Sequence, residues 1–191
     1  PELSGQENKT SEYIFDYLKK TNANEVIKIT ETAIVAVFKG DVSGKTTVLR
    51  ADFDALPIQE ANVFEHRSKN ENVSHKCGHD GHTAIMLGMA NKLSEYPISS
   101  GQVILLFQPA EENGEGAKSV LATSFFKSVS VDKVFALHNL PGFPLMEIVI
   151  KKGVFTAHVI SVIIKIEGEV SHAAEPEKGQ NPSIVISKII M

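Results

Sequence analysis

Apolar and polar residues alternate along this chain with two different periods. Near the N-terminus, Tyr13, Ile14, Tyr17 and Leu18 recur at the three- and four-residue spacing of a helix face. Residues 25–40 alternate instead and are rich in Val, Ile and Thr, which is typical of a strand. The pattern therefore predicts that the chain opens with a helix followed by a strand.

Strand-like and helix-like segments then take turns up to about residue 140. KTTVLRADFDA, VILLF and VDKVFAL have the pattern of strands, whereas residues 79–93 and the stretch after QPAEENGEGA have that of helices. VILLF is apolar throughout, as expected of a strand that is buried on both faces of a sheet. The alternation favours an α/β fold, with three α/β/α layers and a mostly parallel sheet.

The pattern changes towards the C-terminus. MEIVIKKG and VFTAHVISVIIKIEG predict strands, and NPSIVISKII predicts a helix. We expect residues 1–155 to form the N-terminal part of one domain and residues 156–191 to begin a second. Because the chain starts on a proline and stops within the last predicted helix, we also expect it to be part of a longer protein.

Composition narrows the classes of function. With 42% hydrophobic and 22% charged residues and a net charge of −4, the chain resembles an ordinary globular protein and has no basic patch for nucleic acid. Its apolar runs are far shorter than the roughly 18 residues of a membrane span. One cysteine excludes an internal disulfide and fits a reducing compartment, so a cytoplasmic location is expected.

Clusters of polar residues lie at or just after the ends of predicted strands. In open α/β sheets, ligands bind beyond the carboxyl ends of the strands. We therefore expect the clusters to meet in one site. They are RADFDALP (50–57), HKCGHDGHT (75–83), PAEENGEG (109–116) and LHN (137–139).

HKCGHDGHT contains the single cysteine and three of the seven histidines. Cys77 and His79 are separated by one glycine, so both side chains could face one ion, and thiolate with imidazole suits Zn²⁺. Asp80 could accept the remaining N–H of a ligating histidine. The alternative for Cys77 is a buried thiol without chemistry, but the density of histidines favours a metal site.

Glu111 and Glu112 directly follow VILLF and a proline. On an irregular turn, one carboxylate can bind a metal while the other acts as a general base on water. A solvated acidic loop is the alternative. His138 ends the strand VFAL, where a histidine is more often structural, and it gains interest as a companion of the other clusters.

Asp52 and Asp54 are two residues apart on a predicted strand, so their carboxylates share a face and could reach one pocket. Arg50 lies on the same face. It could instead pair with one of these carboxylates, and the sequence leaves both possibilities open.

The ordered motifs resemble the metal-dependent amidohydrolases of the aminoacylase and carboxypeptidase superfamily. The branch with hippurate hydrolases, N-acyl-amino-acid amidohydrolases and auxin-conjugate hydrolases is the most similar. The resemblance extends over essentially the whole chain. It rests on RADFDALPIQE, HKCGHDGHTAIMLG, GQVILLFQPAEENGEGAKSVL, ALHNLPG and GEVSHAAEPEKGQNP.

This resemblance implies a role for each matched residue. Glu111 is the general base, Asp54 is a catalytic-site carboxylate that orients the metal site, and His172 of a lid domain binds the tetrahedral intermediate in the partner subunit. Asp52 stands where the wider superfamily has a histidine. The implied metal ligands are Cys77, His79, Glu112 and His138.

The resemblance further implies a catalytic domain with two divalent metal ions and an inserted α+β lid domain that forms a homodimer. Zn²⁺ or Mn²⁺ is expected, and Ni²⁺ or Co²⁺ could serve. The family's chains are longer than this one and supply a further histidine ligand near their C-terminus.

The activity implied is hydrolysis of the amide bond of N-acyl amino acids or peptide-like substrates. Two enzymatic alternatives are a dipeptidase or aminopeptidase with the same metals, and a cysteine hydrolase with Cys77 as nucleophile. A metal-binding fragment without complete catalytic machinery is a third alternative.

Overall fold

The computed structural model of this chain describes residues 1–160 and 162–191, and its N-terminal part follows the apolar pattern. Helix α1, Asn8–Leu18, buries Ile14 and Leu18. The strand predicted over 25–40 is instead an antiparallel hairpin of β1, Glu25–Lys28, and β2, Ile34–Lys39. The hairpin turn closes where Ile29 N–H donates to the carbonyl of Ala33, at 2.9 Å. The alternation of apolar and polar residues continues unchanged from β1 into β2, so the sequence pattern predicted a single strand.

The later elements follow the predicted order. β3 and β4 begin a few residues before KTTVLRADFDA and VILLF, and their pairing has a register shift between Val42 and Thr46. Within the described part of the chain, no helix is both long and apolar enough to cross a membrane. The elements are β3 (Val42–Asp52), α2 (His79–Glu95), β4 (Ser100–Gln108), α3 (Glu115–Ala122), α4 (Ser124–Ser128) and β5 (Lys133–Ala136).

These strands form one sheet in the order β1-β2-β4-β3-β5. β3 is parallel to both β4 and β5, whereas β2 is antiparallel to β4 and to β1. β1, β3, β4 and β5 therefore point in the same direction, and β2 alone among the described strands is reversed. The mostly parallel sheet expected from the sequence is confirmed.

Both faces of the sheet are covered by helices. Ile34, Ala36 and Phe38 of β2 pack towards α1 and α2, whereas Val35 and Val37 of the same strand pack towards α3. Successive residues of a strand point to opposite faces, so an unbroken apolar run fills two cores at once. This confirms the three-layer α/β/α arrangement.

The chain divides into two compact units, Pro1–Phe143 and Pro144–Met191. The second contains a 3₁₀ turn at Pro176–Lys178 and helix α5, Ser183–Ile190, within the segment predicted as the last helix. The boundary expected at residues 155 and 156 falls inside this unit and stays a prediction.

Two strands predicted in the second unit are not formed in the residues that the structure describes. Ile148, Ile150 and Ile163 are each more than 80% exposed, and no neighbouring strand pairs with them. Alternation predicts which face a strand would bury, but a strand also needs a hydrogen-bonded neighbour. Ser161, which belongs to one of these predicted strands, lies outside the described residues.

Removing a core side chain of the sheet should destabilise the protein far more than removing a matched surface side chain. Leu105 is fully buried between α1 and α2 and the sheet, whereas Leu121 on α3 is 68% exposed. We expect Leu105→Ala to lower the free energy of unfolding by about 2–5 kcal/mol and Leu121→Ala by less than about 0.5 kcal/mol. Urea denaturation followed by circular dichroism measures both. Equal losses would contradict the assignment of the core.

Candidate metal centre

The polar clusters at the strand ends lie together within the first unit. β3, β4 and β5 run parallel, so their carboxyl ends reach the same edge of the sheet, and α2 begins beside them. The side chains gathered at this edge are those of Asp52, Asp54, Cys77, His79, His82, Glu111, Glu112 and His138.

His79, the first residue of α2, lies at the centre of this group. Its Nδ1 atom is 3.0 Å from both the carbonyl oxygen and the Oδ1 atom of Asp54, so its proton is donated to Asp54. When the ring is neutral, Nε2 then carries the lone pair. It is buried and has no hydrogen-bond partner among the described residues, although it lies 3.8 Å from Glu112 Oε1 and 3.9 Å from Glu111 Oε2. A histidine held in this way presents its second nitrogen as a ligand atom.

Cys77 and His138 form the neighbouring corner of the site. The Cys77 Sγ and His138 Nε2 atoms are 3.5 Å apart. His138 Nδ1 lies 2.8 Å from the carbonyl oxygen of Asn139 and donates its proton there, which again leaves Nε2 as the available nitrogen. Both histidines expected to bind metal therefore have the same tautomer fixed by the protein.

The donor atoms at this edge suit divalent transition metals. His79 is common to three groups whose ligand atoms lie within 4.8 Å of one another: Cys77–His79–His138, His79–Glu111–Glu112 and Asp52–His79–His82. Thiol, imidazole and carboxylate together are the ligands that zinc and its first-row neighbours use. The unpartnered Nε2 of His79 and the adjacent carboxylates therefore fit a metal centre, and the first two groups supply the expected ligands.

Asp54 joins three parts of the chain to the site. Its Oδ2 atom accepts hydrogen bonds from the Ser4 hydroxyl, at 2.7 Å, and from the Glu112 backbone N–H, at 3.0 Å, while Oδ1 accepts from His79. Burial raises the pKa of Asp54, but the hydrogen bonds from His79, Glu112 and Ser4 outweigh it and bring this pKa to about 2. Asp54 is thus an ionised carboxylate that orients the histidine from behind.

Asp52 has a different environment, although it lies on the same strand face. Its Oδ2 atom accepts from Arg50, at 2.6 Å, and its Oδ1 atom lies 2.6 Å from His82 Nδ1. Burial raises the pKa of Asp52, but the hydrogen bond from His82 and the charge of Arg50 outweigh this effect, so the pKa lies below its ordinary value. Both possibilities that the sequence left open are therefore realised: Arg50 pairs with Asp52, and both carboxylates reach His79, since Asp52 Oδ2 lies 3.6 Å from its Nε2 atom and Asp54 bonds its Nδ1 atom.

His82 extends this network to the loop after β5. Its Nε2 atom accepts the backbone N–H of Asn139 at 3.0 Å, and the Asn139 side chain lies 2.8 Å away. Gly78, with a φ of +98°, allows this approach because a Cβ at that position would lie 2.4 Å from the Asn139 side chain. The left-handed glycine therefore lets the Asn139 loop pack against the start of α2.

The charges at the site determine the protonation of its central residues. Burial lowers the pKa of His79, but the hydrogen bond to Asp54 and the charges of Asp52 and Asp54 outweigh this effect, so the pKa lies above its ordinary value. Burial, followed by the nearby Glu112 and Glu111 carboxylates, raises the pKa of Cys77 to about 11. The site therefore favours the positively charged form of His79 and the neutral thiol of Cys77. A bound cation would instead favour the thiolate form of Cys77.

Asp80 and His172, two further residues of the sequence motifs, each make a hydrogen bond within their own segment. Asp80 is exposed, and its carboxylate accepts the backbone N–H of Gly81 at 2.9 Å, so Asp54 is the partner of the buried histidine. His172 belongs to the second unit, where its Nδ1 atom accepts the backbone N–H of Ala174 at 3.2 Å. Its action in a partner subunit stays a prediction.

Sequence reasoning missed several residues that support the site. The spacing of HKCGHDGHT marked His82, but nothing in the sequence showed that Asn139 would be its partner. Ser4 and Glu7 lie far from the motifs along the chain, yet they bond Asp54 and the backbone N–H of Ala110. Such contacts depend on where α1 packs, which periodicity alone does not specify.

Comparison with protein families decides what kind of centre this is. The model of peptidase family M20/M25/M40 matches residues 48–186, which contain the strand-end clusters. The chain belongs to this family. The resemblance noted in the sequence is thereby confirmed.

Two curated bacterial proteins are similar to this chain over its whole length. Over 191 residues the chain is 38% identical to the hippurate hydrolase of Campylobacter jejuni, covering all of this chain and 50% of the relative. It is also 38% identical over 192 residues to the N-acetyl-L-cysteine deacetylase of Bacillus subtilis, covering all of this chain and 46% of the relative. The chain thus spans about half the length of the curated relatives that it matches.

A solved structure from the same family has the same fold. The Bacillus subtilis YXEP protein, described as a dinuclear metal binding peptidase of the M20 family, superposes with a TM-score of 0.70. Sequence identity is 38%, and the match covers 75% of this chain and 40% of that chain. The likeness agrees with a metal-dependent hydrolase fold in this M20 chain.

Alkylation of Cys77 should report on the site directly. In metal-free whole protein, the thiol should react slowly with iodoacetamide near pH 7 and accelerate towards pH 11, because only the thiolate is nucleophilic and its pKa is about 11. Mass spectrometry of the Cys77 peptide measures the rate at each pH, and Cys77→Ser provides the blank. A rate that levels off near pH 8.5, as for an ordinary thiol, would contradict the electrostatic picture.

Proposed function

We propose that the whole protein hydrolyses the amide bond of N-acyl amino acids with a metal centre at the carboxyl edge of this sheet. The observation that carries the proposal is the Glu111–Glu112 pair facing the unpartnered Nε2 of the buried His79. The two deacylases among the relatives support this choice of substrate class.

In this proposal, the chain supplies ligands of three kinds to two divalent metal ions. Cys77 offers sulfur, His79 and His138 offer Nε2, and Glu112 offers a carboxylate oxygen. Bound divalent ions would polarise the substrate carbonyl and lower the pKa of water. The thiol favours Zn²⁺, and Mn²⁺, Ni²⁺ or Co²⁺ fit the imidazole and carboxylate donors.

Glu111 is proposed as the general base. Its side chain is 41% exposed and that of Glu112 is 24% exposed, so Glu111 is the more accessible of the two to water and substrate. The backbone N–H of Glu112 is tied to Asp54. Glu111 would take a proton from water as a general base and then deliver it to the leaving amine as a general acid. Glu112 would serve as a metal ligand.

A cysteine-nucleophile mechanism is disfavoured by the surroundings of Cys77. Burial, followed by the carboxylates of Glu112 and Glu111, raises the pKa of the thiol to about 11, whereas nucleophilic cysteines depend on a lowered pKa. A dipeptidase with the same site differs in substrate only. Treatment with a chelator tests the cysteine-nucleophile mechanism, because a thiol enzyme would retain its activity and a metal-dependent enzyme would lose it.

We further propose a homodimer in which His172 of one subunit reaches the site of its partner and donates a hydrogen bond to the developing oxyanion. Support comes from the matched lid-domain motif GEVSHAAEPEKGQNP and from the location of His172 outside the metal-binding unit. A cytoplasmic location is part of the same proposal, because a reducing compartment keeps the ligand thiol from oxidation.

Replacing the proposed base should abolish catalysis without emptying the site. We expect Glu111→Gln in the whole protein to lower kcat for N-acetyl and N-benzoyl amino acids by at least about 100-fold, because an amide cannot accept the proton. Elemental analysis should show unchanged metal content. The control is Glu115→Gln, a 66% exposed carboxylate of the same segment, which should retain wild-type kcat.

The same assay separates the substrate classes. Wild-type protein should hydrolyse the N-acyl amino acids faster than a panel of dipeptides. Near-normal turnover by Glu111→Gln would refute the assignment of the base, and a preference for dipeptides would refute the substrate class.

The dimer proposal predicts complementation between two inactive variants. Whole-protein Glu111→Gln and His172→Ala should each be inactive, but a mixed dimer should contain one site with both Glu111 and the partner's His172. Co-expression with two affinity tags isolates the mixed species, and activity near half of that of a wild-type site pair is expected. Inactive mixed dimers would show that His172 does not act in trans.

A further inference from the structure

A buried carboxylate lies behind the site, at the start of α1. Glu7 is 0% exposed, and its Oε1 atom accepts the backbone N–H of Ala110 at 2.7 Å. The two residues are 103 positions apart in the chain. Its Oε2 atom has no hydrogen-bond partner among the described residues. Glutamate is almost never fully buried unless it is paired, so this single long-range hydrogen bond is the feature that accounts for the position of Glu7.

The donor of that hydrogen bond, Ala110, lies in an unusual turn. Ala110 has a φ of +50°, in the left-handed region that alanine seldom occupies. Strained backbone of this kind persists when the surrounding structure holds it, and it clusters at functional sites. Ala110 directly precedes Glu111 and Glu112, so its conformation sets the direction in which both carboxylates leave β4.

The turn is held from the opposite side as well. The carbonyl of Ala110 accepts the backbone N–H of Gly116 at 2.9 Å. Gly116 has no room for a side chain, since a Cβ would lie 1.6 Å from the carbonyl oxygen of Pro109. α3 therefore packs directly against the turn on one side, while Glu7 accepts the backbone N–H of Ala110.

α1 gives Glu7 a fixed position. The carbonyl of Glu7 accepts the Ser11 N–H at 2.8 Å, and Ile14 and Leu18 anchor the helix in the core. Glu2 accepts the N–H groups of Lys9 and Thr10, which secures the first turn of the helix. A rigid helix thus carries one acceptor to the backbone of the metal-binding turn.

We propose that Glu7 is a positioning residue, which holds the Pro109–Glu112 turn so that Glu111 and Glu112 face His79. Its catalytic consequence rests on the proposed function of Glu111. Glu7 itself touches neither the donor atoms nor the open side of the site in the contacts described. The acceptor oxygen, rather than the charge or the volume of the side chain, is the feature that matters.

Two substitutions separate these properties. Glu7→Gln and Glu7→Met both replace the carboxyl group and keep a side chain of similar length, but Gln retains an acceptor oxygen for Ala110 and Met does not. In the metal-loaded whole protein, we expect Glu7→Met to lower kcat about 10- to 100-fold, the range found when a residue that orients a metal site is lost. KM should change by less than about 3-fold, and Glu7→Gln should keep kcat within about 3-fold of wild type.

Hydrogen exchange tests the positioning without relying on activity. Amides of residues 109–116 should exchange faster in Glu7→Met than in Glu7→Gln or wild type. The matched control is Ser11→Ala, because Ser11 is equally buried on α1 and its hydroxyl has no hydrogen-bond partner among the described residues. This variant should leave both kcat and the exchange of the turn unchanged.

The outcomes distinguish the two proposals. If the protein hydrolyses no N-acyl amino acid but the turn still loosens in Glu7→Met, the proposed function fails and the positioning role stands. Equal exchange and equal kcat in Glu7→Gln and Glu7→Met would overturn the positioning role. If Glu7→Met does not fold, the wild type still decides: rapid exchange of the Ala110 amide would overturn the role, and slow exchange would support it.

Discussion

The hydrogen bond between the Asp54 carboxylate and His79 Nδ1 is the interaction on which the site depends. It fixes the tautomer of a fully buried imidazole and leaves a bare nitrogen facing two glutamates. The same carboxylate also receives Ser4 and the backbone of Glu112. One buried anion thereby joins the N-terminal segment, β3, α2 and the turn after β4.

The sheet makes this convergence possible. Because β3, β4 and β5 are parallel, residues that are far apart in sequence leave the sheet at one edge. The apolar runs of β2 and β4 fill both cores, so that edge is supported by helices on either side. Polar groups that would be costly to bury singly satisfy each other or face the site.

Much of this arrangement could be predicted from the sequence, and what could not has physical causes. Periodicity gave the order of helices and strands in the first unit, and the strand-end rule placed Cys77, His79, Glu111 and His138 at one edge. It did not divide the segment 25–40 into a hairpin, because both strands keep the same alternation. The choice between Asp52 and Asp54 as the hydrogen-bond partner of His79 Nδ1 also required coordinates, since Asp52 ends β3 and Asp54 lies only two residues beyond it.

The proposed ligands are not equally secure. His79 is fully buried at the start of α2, but His138 follows β5, which has β3 as its sole described neighbour and whose residues are all exposed. Elements with few buried contacts open locally at a lower free-energy cost than the core. Fraying of β5 would therefore displace His138 at a lower free-energy cost than the opening of the core that would displace His79. Binding of a metal would clamp that edge, so the resistance of β5 to proteolysis would rise with metal loading while that of the core would change little.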